Sequence, residues 1–395
     1  MLSMKKIIPL MLLFFFISGT FATALNPISA SELVENSWNT KMPMSQARHE
    51  LGAVAVDGKI YAIGGHTEKG YTDITERYDP KTDSWITLEP MPTPRGRFAI
   101  ATYEDKIYCI GGTTINEQGL LNACRLNEVY DTVTNSWCSK ANAPFFGHAQ
   151  ANVVAGKIFI TTTCEVFMYD PVADVWTNKT GVPANWELVF SFGLDNKIIS
   201  ISNFRNEHLQ NEPQYEQKRL SYYTETDLWR EDKTLPPPIA IHGVGVTTGL
   251  YAPKNVYVLG FKEWEYIHMI YDPVKDTWSS AAEAMPIGRS GYSVVVVDDL
   301  LYVIGGQSSI RDSFGFMPSS PLNEQYVPIG YDPLGYQTPF LPFLTNSVVV
   351  VTTILTACFV ITTLFFYLRR KRNKRYESEM PVCIWRLASK SRFIL

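Results

Sequence analysis

Three arginines recur at one spacing along this 395-residue chain. Arg48, Arg95 and Arg289 each lie 16 residues before the first glycine of a Gly–Gly pair, and other polar or aromatic side chains fall close to the same register. Guanidinium groups bind carboxylates and phosphates in a fork geometry, while imidazole and indole rings add hydrogen bonds and stacking. The pattern predicts an anion or sugar site. Its seven candidate residues are Arg48, His49, Arg95, His148, Trp186, His242 and Arg289.

The same arginines also have a structural interpretation, and the sequence leaves both open. A guanidinium buried against a carboxylate fixes neighbouring loops and meets no ligand. No phosphate-binding loop, nucleophile elbow, metalloprotease helix or zinc-type cysteine spacing occurs in the chain. We therefore predict no metal and no cofactor, and we assign no catalytic residue.

An internal repeat supplies the elements that must position these residues. Six short apolar strands recur, at 59–65, 106–112, 157–162, 197–202, 255–260 and 300–306, and three of them end in a glycine pair. After each of the first five, a tyrosine precedes a tryptophan by seven residues across an Asp-Pro-type turn, which is typical of a β-hairpin. The glycines are Gly64, Gly65, Gly111, Gly112, Gly305 and Gly306; the aromatic pairs are Tyr78 and Trp85, Tyr130 and Trp137, Tyr169 and Trp176, Tyr222 and Trp229, and Tyr271 and Trp278.

Each repeat unit supplies four strands, and such a sheet buries both of its faces only against its neighbours. Sheets stacked radially as blades around an axis satisfy this requirement. The last unit lacks a tryptophan strand, and the segment around Trp38 has that pattern before the first unit begins. We therefore predict an all-β, six-bladed propeller over residues 25–327, closed by its N-terminal strand, which removes free sheet edges.

These motifs resemble the kelch repeat family over residues 36–327: a Gly–Gly pair after an apolar strand, a Tyr-Asp pair, and a tryptophan at fixed distance. The family includes protein-binding adaptors, a copper-dependent galactose oxidase and a sialic-acid epimerase. The oxidase's copper ligands, two histidines, two tyrosines and a thioether-forming cysteine, have no matching motif here. The resemblance implies a binding module for a protein or a glycan. The alternative is a sugar-modifying enzyme, similar to the epimerase, that uses the axial arginines and histidines.

The connections between strands differ in length on the two faces of such a propeller. Turns between first and second strands and between third and fourth strands are short, with one longer exception in the fifth blade. Long inserts at 113–127, 203–220 and 307–322 fall on the opposite face, together with the candidate site residues. Since function concentrates in such loops, we expect the ligand there. Blades 3 to 5 lack a complete glycine pair, so we expect distortion at that turn.

The two ends of the chain carry targeting signals. Residues 1–24 have two lysines, a charge-free apolar run at 7–17 and an Ala-x-Ala motif, which is typical of a signal peptide. Residues 343–368 contain no charge and are long enough for a membrane span, and basic residues follow at 369–375. The sequence predicts a single-pass protein of the plasma membrane, with the propeller outside, a Pro- and aromatic-rich stalk at 328–342, and a cytoplasmic tail at 369–395.

The charge distribution excludes one class of partner. Outside the signal peptide and the tail, the chain holds 24 basic and 37 acidic residues, a net charge of −13. Such a domain does not bind nucleic acid through counterion release. The predicted partners are an unidentified protein or glycan, and membrane lipid around the single span.

Modification sites are few. Cys109, Cys124, Cys138 and Cys164 allow three disulfide pairings or free thiols, and their spacing selects none of these. Asn178 begins an Asn-Lys-Thr tripeptide on a predicted surface hairpin, which makes it a candidate for N-glycosylation.

Overall fold

The computed structural model describes residues 33–335, except 117, 206–214, 235–239, 263–264, 281 and 309–316. The predicted signal peptide (1–24), transmembrane segment (343–368) and cytoplasmic tail (369–395) lie outside these residues. Within the described part, no helix has the length and apolar character needed to cross a membrane.

All regular structure in the described residues is β-strand. In chain order, the first fifteen strands are β1 (Ser37–Lys41), β2 (Gly52–Val56), β3 (Lys59–Ile63), β4 (His66–Thr67), β5 (Gly70–Tyr71), β6 (Thr75–Asp79), β7 (Ser84–Thr87), β8 (Ala99–Tyr103), β9 (Lys106–Ile110), β10 (Thr113–Ile115), β11 (Leu121–Ala123), β12 (Asn127–Asp131), β13 (Ser136–Ser139), β14 (Gln150–Val154) and β15 (Lys157–Thr161). The others are β16 (Val166–Asp170), β17 (Val175–Lys179), β18 (Trp186–Leu194), β19 (Lys197–Arg205), β20 (Tyr215–Tyr223), β21 (Leu228–Thr234), β22 (Ala240–Val246), β23 (Val256–Lys262), β24 (Glu265–Asp272), β25 (Thr277–Ser279), β26 (Arg289–Ser290), β27 (Ser293–Val297), β28 (Leu300–Ile304), β29 (Gln307–Ser308) and β30 (Asn323–Val327).

Six four-stranded antiparallel sheets form the blades, as predicted. From the innermost strand outward, they are β2-β3-β6-β7, β8-β9-β12-β13, β14-β15-β16-β17, β18-β19-β20-β21, β22-β23-β24-β25 and β27-β28-β30-β1. The six innermost strands contact one another in sequence, and β27 returns to β2, so the ring is closed. Apolar clusters fill the spaces between neighbouring blades. We call the ring face on which β2 begins the mouth face, and the opposite face the turn face.

The N-terminal strand completes the sixth blade, which confirms the predicted closure. In the β1–β30 ladder, Trp38 lies opposite Tyr326. The Trp38 indole N–H donates to the Glu283 carbonyl of blade 5 (2.9 Å), and the Tyr326 hydroxyl donates to Asn36 Oδ1 (2.8 Å). Residues more than 240 positions apart therefore share one seam. This seam makes the blades interdependent.

The repeated aromatic pairs join each blade to its neighbour. In blade 2, Tyr130 lies opposite Trp137, and the Tyr130 hydroxyl donates to Asn135 Oδ1 (2.6 Å) in the turn between them. The same oxygen accepts the Glu89 backbone N–H (3.1 Å), and the Trp137 indole donates to the Glu89 carbonyl (2.9 Å). Asn135 has a positive φ of 51°, a conformation that Asn and Asp tolerate better than most residues. The seven-residue spacing between tyrosine and tryptophan, repeated in five blades, thus reflects an inter-blade contact.

The glycine pairs allow close approach between blades. Gly64 and Gly65 have φ values of 57° and 101°, and a Cβ on Gly64 would lie 2.5 Å from the Arg95 carbonyl oxygen. No side chain fits there without moving the backbone. Where the pairs are incomplete, blades 4 and 5 show shifts of register near Leu188, Lys218 and Ile241. Blade 3 pairs in regular register.

One buried histidine lies in the closing seam. The His268 side chain packs against the rings of Trp38, Tyr257 and Tyr326, with 4.5 Å between its ring centroid and that of Tyr326. Its Nδ1 lies 3.0 Å from the Glu283 carbonyl oxygen, which only accepts, so Nδ1 carries the proton. Nε2 is buried and has no hydrogen-bond partner. Burial lowers the pKa of His268 to about 4.

We expect the propeller to lose stability on acidification because of His268. Its pKa is below the ordinary value of 6.5. Neutral His268 contributes fully to the free energy of unfolding above pH 6.5, and this contribution declines as the pH falls toward 4. The expected loss between pH 7.5 and pH 4.5 is about 2 to 3 kcal/mol. Chemical denaturation of the wild type and of His268→Phe at these two pH values measures this. The substitution should flatten the pH dependence, and an unchanged dependence would contradict the assignment.

Candidate functional site: the mouth of the axial channel

The three repeated arginines are fully buried inside the blades. The Arg95 guanidinium donates from Nε to the Gly111 carbonyl (3.1 Å) and from Nη2 to the Cys109 carbonyl (2.8 Å), while Nη1 forms an ion pair with Glu128. Arg48 and Arg289 form equivalent ion pairs with Glu76 and Glu324. Each arginine therefore connects the start of an inner strand to the second and third strands of its own blade.

These contacts correct the assignment of Arg48, Arg95 and Arg289 to a ligand site. Each side chain has 0% exposure and is surrounded by carbonyl oxygens and one carboxylate. A charged group buried in this way must keep its partners, because separation would leave an uncompensated charge in the interior. The arginines hold the mouth in shape and do not face it.

A signal for these partners was present in the sequence. Each partner glutamate lies two residues before a repeat tyrosine, as Glu128 lies before Tyr130. This glutamate occurs in blades 1, 2 and 6, the blades that carry the arginine, whereas blades 3, 4 and 5 have Phe167, Leu220 and Met269 instead. The buried arginine and its partner glutamate therefore occur together in the same blades.

A cavity of about 760 Å³ follows the propeller axis. The innermost strand of every blade contributes to its wall, with apolar side chains such as Val54, Ile100 and Val244 along its length. Polar side chains, including Glu50, Arg97, His148 and His242, collect where these strands begin, at the mouth face. The fold thus provides a channel whose wall mixes apolar residues with uncharged polar ones such as Asn152 and Ser191, and whose charged groups lie at the mouth, an arrangement common in ligand sites.

Glu50 and Arg97 form the charged pair of the mouth. Their side chains are joined by an ion pair and are 19% and 55% exposed, so both groups are accessible from the channel. The Arg97 backbone N–H donates to the Glu50 carbonyl (3.0 Å), and both residues have positive φ, 57° and 56°. The hydrogen bond that Arg97 donates to the Glu50 carboxylate raises the pKa of Arg97. Sequence inspection missed this pair, although each member lies two residues after a repeated arginine.

Of the candidate histidines, His148 and His242 line the channel. His148 is exposed to the cavity, yet the surrounding walls reduce its hydration and lower its pKa, and Arg97 acts in the same direction. Burial also lowers the pKa of the half-buried His242. Both rings are therefore neutral at pH 7 and above, where each can donate one hydrogen bond and accept another.

His49 and Trp186 lie outside the cavity wall. The His49 ring contacts the His66 ring, with 5.0 Å between centroids, and its Nδ1 lies 2.9 Å from the Ser319 hydroxyl oxygen. Trp186 begins β18, and the Lys218 ammonium lies 5.7 Å from its ring centroid. His49 therefore supports the mouth from behind Glu50, whereas Trp186 lies on the outer part of the mouth face.

The long inserts of the mouth face differ in structure. The first, 113–127, contains the hairpin β10–β11, whose Leu120 and Leu121 are 64% and 73% exposed. The second insert was predicted as a loop at 203–220. In the structure, β19 continues to Arg205, β20 begins at Tyr215, and Asn203 pairs with Gln217 in the ladder between them. The backbone continues its ladder there, so the connection is shorter than predicted.

Other predicted sites do not line the channel. Asn178 is exposed in β17, the outermost strand of blade 3. The four cysteines of the described chain form no disulfide: Cys109 and Cys124 are buried, and Cys138 and Cys164 are exposed. Among the described residues, no three His, Cys, Asp or Glu side chains converge as a metal site.

Comparisons with known proteins agree with this architecture. The family model described as Kelch motif matches residues 47–92, 94–144 and 288–317. The chain is 24% identical over 210 residues to Kelch-like protein terF of Aspergillus terreus, covering 48% of this chain and 45% of that protein. It is 28% identical over 219 residues to Kelch-like protein 26 of Danio rerio, covering 52% and 34%. The matches thus span less than half the length of these relatives.

A solved structure shows the same fold. The structure of YjhT aligns with a TM-score of 0.56 and 14% identity, covering 71% of this chain and 95% of that one. At this identity the likeness concerns the fold alone. The repeated motifs, the three matched segments and the six closed blades make the chain a six-bladed β-propeller that contains kelch motifs.

Proposed function

We propose that this propeller is a membrane-tethered recognition module that binds a protein outside the cell through its mouth face. Kelch propellers generally serve as protein-interaction modules. The apolar run at 343–368, with basic residues after it, supports the tether, and the apolar N-terminal run at 7–17 supports export.

An apolar rim beside the polar mouth is the observation that carries this proposal. Leu121 of the β10–β11 hairpin is 73% exposed, and Phe146 is 66% exposed with the Arg125 guanidinium 5.1 Å from its ring centroid. The Gly147 backbone N–H donates to the Cys124 carbonyl (3.2 Å), which keeps Phe146 beside the hairpin. Apolar and aromatic anchors next to polar groups are typical of protein interfaces.

Exposed valines on the turn face provide a matched comparison. Val172 and Val274 are 75% and 88% exposed, but each lies alone at the tip of a hairpin turn in a separate blade. Single exposed apolar residues are normal on protein surfaces. They are therefore suitable control positions for substitution.

Binding of the full-length chain to arrays of extracellular proteins and glycans tests the proposal. We expect a protein ligand whose affinity falls at least tenfold, about 1.4 kcal/mol, in Leu121→Asp/Phe146→Asp, because charge enters a desolvated contact. The control Val172→Asp/Val274→Asp should bind as the wild type does. Equal binding by both double variants, or loss only in the control, would contradict the proposal.

A sugar-modifying enzyme is the second candidate, because the channel mouth combines a carboxylate, a guanidinium and two imidazoles. Glu50 and His148 are groups that could transfer protons to a bound sugar, while Arg97 could hold its carboxylate. Interconversion of the anomers of an acidic sugar, followed by NMR, tests this. Acceleration by the wild type and not by Glu50→Gln would favour the enzyme.

A further inference from the structure

Histidines are concentrated at one end of the channel. The chain has six histidines, and four of them lie at the mouth face, on blades 1, 3 and 5. Two line the cavity, and the rings of the other two contact each other at a tilt immediately behind Glu50. We call this set the histidine ring; it consists of His49, His66, His148 and His242.

The pair behind Glu50 is held rigidly. His49 and His66 exchange backbone hydrogen bonds, with N···O distances of 3.0 and 2.7 Å, which fixes their rings 5.0 Å apart. The His66 ring also meets the edge of the Tyr71 ring, with 5.0 Å between centroids. His66 Nδ1 is buried and has no hydrogen-bond partner. Two imidazoles at this distance repel each other when both are protonated.

Formal charge at the mouth is balanced while the histidines are neutral. Glu50 and Arg97 are the two charged residues of the cavity wall in the described chain, and they form an ion pair. Around His49 lie Glu50, His66 and Arg97; around His148 lie Arg97 and Glu50; and His242 meets the uncharged Tyr292 ring. Each added proton therefore gives the mouth a net positive charge.

The direction of the pKa shifts places this change below neutral pH. Burial lowers the pKa of His49, and His66 and Arg97 add to the effect while Glu50 opposes it. The pKa values of His148 and His242 are lowered as well. The rings of His49, His148 and His242 are thus neutral at pH 7.5 and gain protons as the pH falls below 6.5, the ordinary value for imidazole.

We propose that the histidine ring makes the mouth an acid-activated site for a carboxylate-rich peptide segment. When protonated, His148 and His242 join Arg97 as cationic donors on the wall of one opening, and His49 adds positive charge behind Glu50. The partial enclosure by the channel strengthens their attraction for a carboxylate. The peptide class rests on the proposed function, since the expected partner is a protein. The site itself is separate from the apolar rim at Leu121 and Phe146.

Calorimetry of the full-length chain with an acetylated, amidated tetraglutamate peptide tests the inference. The peptide carboxylates remain largely ionised at pH 5.5. We expect binding at least tenfold tighter at pH 5.5 than at pH 7.5. At pH 6.0, titrations in two buffers of different ionisation enthalpy should show proton uptake on binding, because the bound carboxylate favours the protonated imidazoles.

Matched variants separate the histidine ring from general charge effects. His148→Gln/His242→Gln should lose most of the increase in tetraglutamate affinity between pH 7.5 and pH 5.5. Lys254→Gln, which removes a cation from the turn face, should keep this increase. A thermal melt at each pH verifies folding, and proton uptake by the wild type is informative whatever the variants do. Affinity that does not depend on pH, an unchanged gain in the double variant, or tighter binding of an oligoglucuronate would overturn the inference. If Leu121→Asp/Phe146→Asp loses the protein ligand but still binds tetraglutamate, the apolar rim and the mouth act as separate sites.

Discussion

Deletion of residues 33–44 is expected to abolish cooperative folding of the propeller. The deletion removes β1, so β30 keeps β28 but loses its other ladder partner, and the buried aromatic seam around Tyr326 opens to water. It also removes the two hydrogen bonds that join Asn36 and Trp38 to the Glu283 backbone of blade 5. A ring of blades has no free edge only while every strand is present. Loss of one outer strand therefore affects both neighbouring blades.

Thermal unfolding and limited proteolysis of the full-length chain measure this effect. The deleted form should show no cooperative transition and should be cleaved within blades 5 and 6. Trp38→Phe serves as the matched control, because it keeps the strand and an aromatic ring but loses the indole hydrogen bond and some packing; we expect a loss of about 1 to 2 kcal/mol. A deletion variant that melts at the wild-type temperature would show that closure does not depend on β1.

Arg95→Met is expected to destabilise the propeller by about 3 to 5 kcal/mol. The substitution leaves the Glu128 carboxylate buried at 4% exposure without its cation, and it removes the hydrogen bonds to the Gly111 and Cys109 carbonyls. Such a large effect would not be seen for an exposed ion pair. Arg97→Met is the matched control, because its pair with Glu50 is partly exposed and contributes less than about 1 kcal/mol.

Chemical denaturation of these variants separates the two classes of arginine. Arg95→Met/Glu128→Leu should recover part of the lost stability, since replacing both partners removes the uncompensated charge. If Arg95→Met and Arg97→Met were equally stable, or if the double substitution gave no recovery, the buried ion pair would not have the role assigned to it here.

The fold could be predicted from the sequence because its strongest constraints are local. A tyrosine and a tryptophan seven residues apart require a tight hairpin, and the hydrogen bonds of Tyr130, Asn135 and Trp137 show why the spacing is fixed. Closure followed from one unmatched strand, and Trp38 occupies the expected place. Repetition within one chain thus provided the information that an isolated motif lacks.

The site was harder to predict because charge in a sequence does not reveal burial. Arg48 and Arg97 are both cations near the start of an inner strand, yet one is fully buried against Glu76 and the other faces the channel beside Glu50. Strand alternation does not give this distinction, because residues two apart, such as Arg95 and Arg97, lie on the same face of a regular strand. The positive φ values at Glu50 and Arg97 turn their side chains into the mouth, and a single sequence does not indicate them.

The most direct test of the account is photo-crosslinking of the full-length chain on the surface of living cells. A photoreactive amino acid at position 121, on the apolar rim, should form a specific adduct with a partner protein. The same amino acid at position 172, on the turn face, should form none. An adduct from position 172 in the absence of one from position 121 would contradict the claim that the mouth face is the recognition surface.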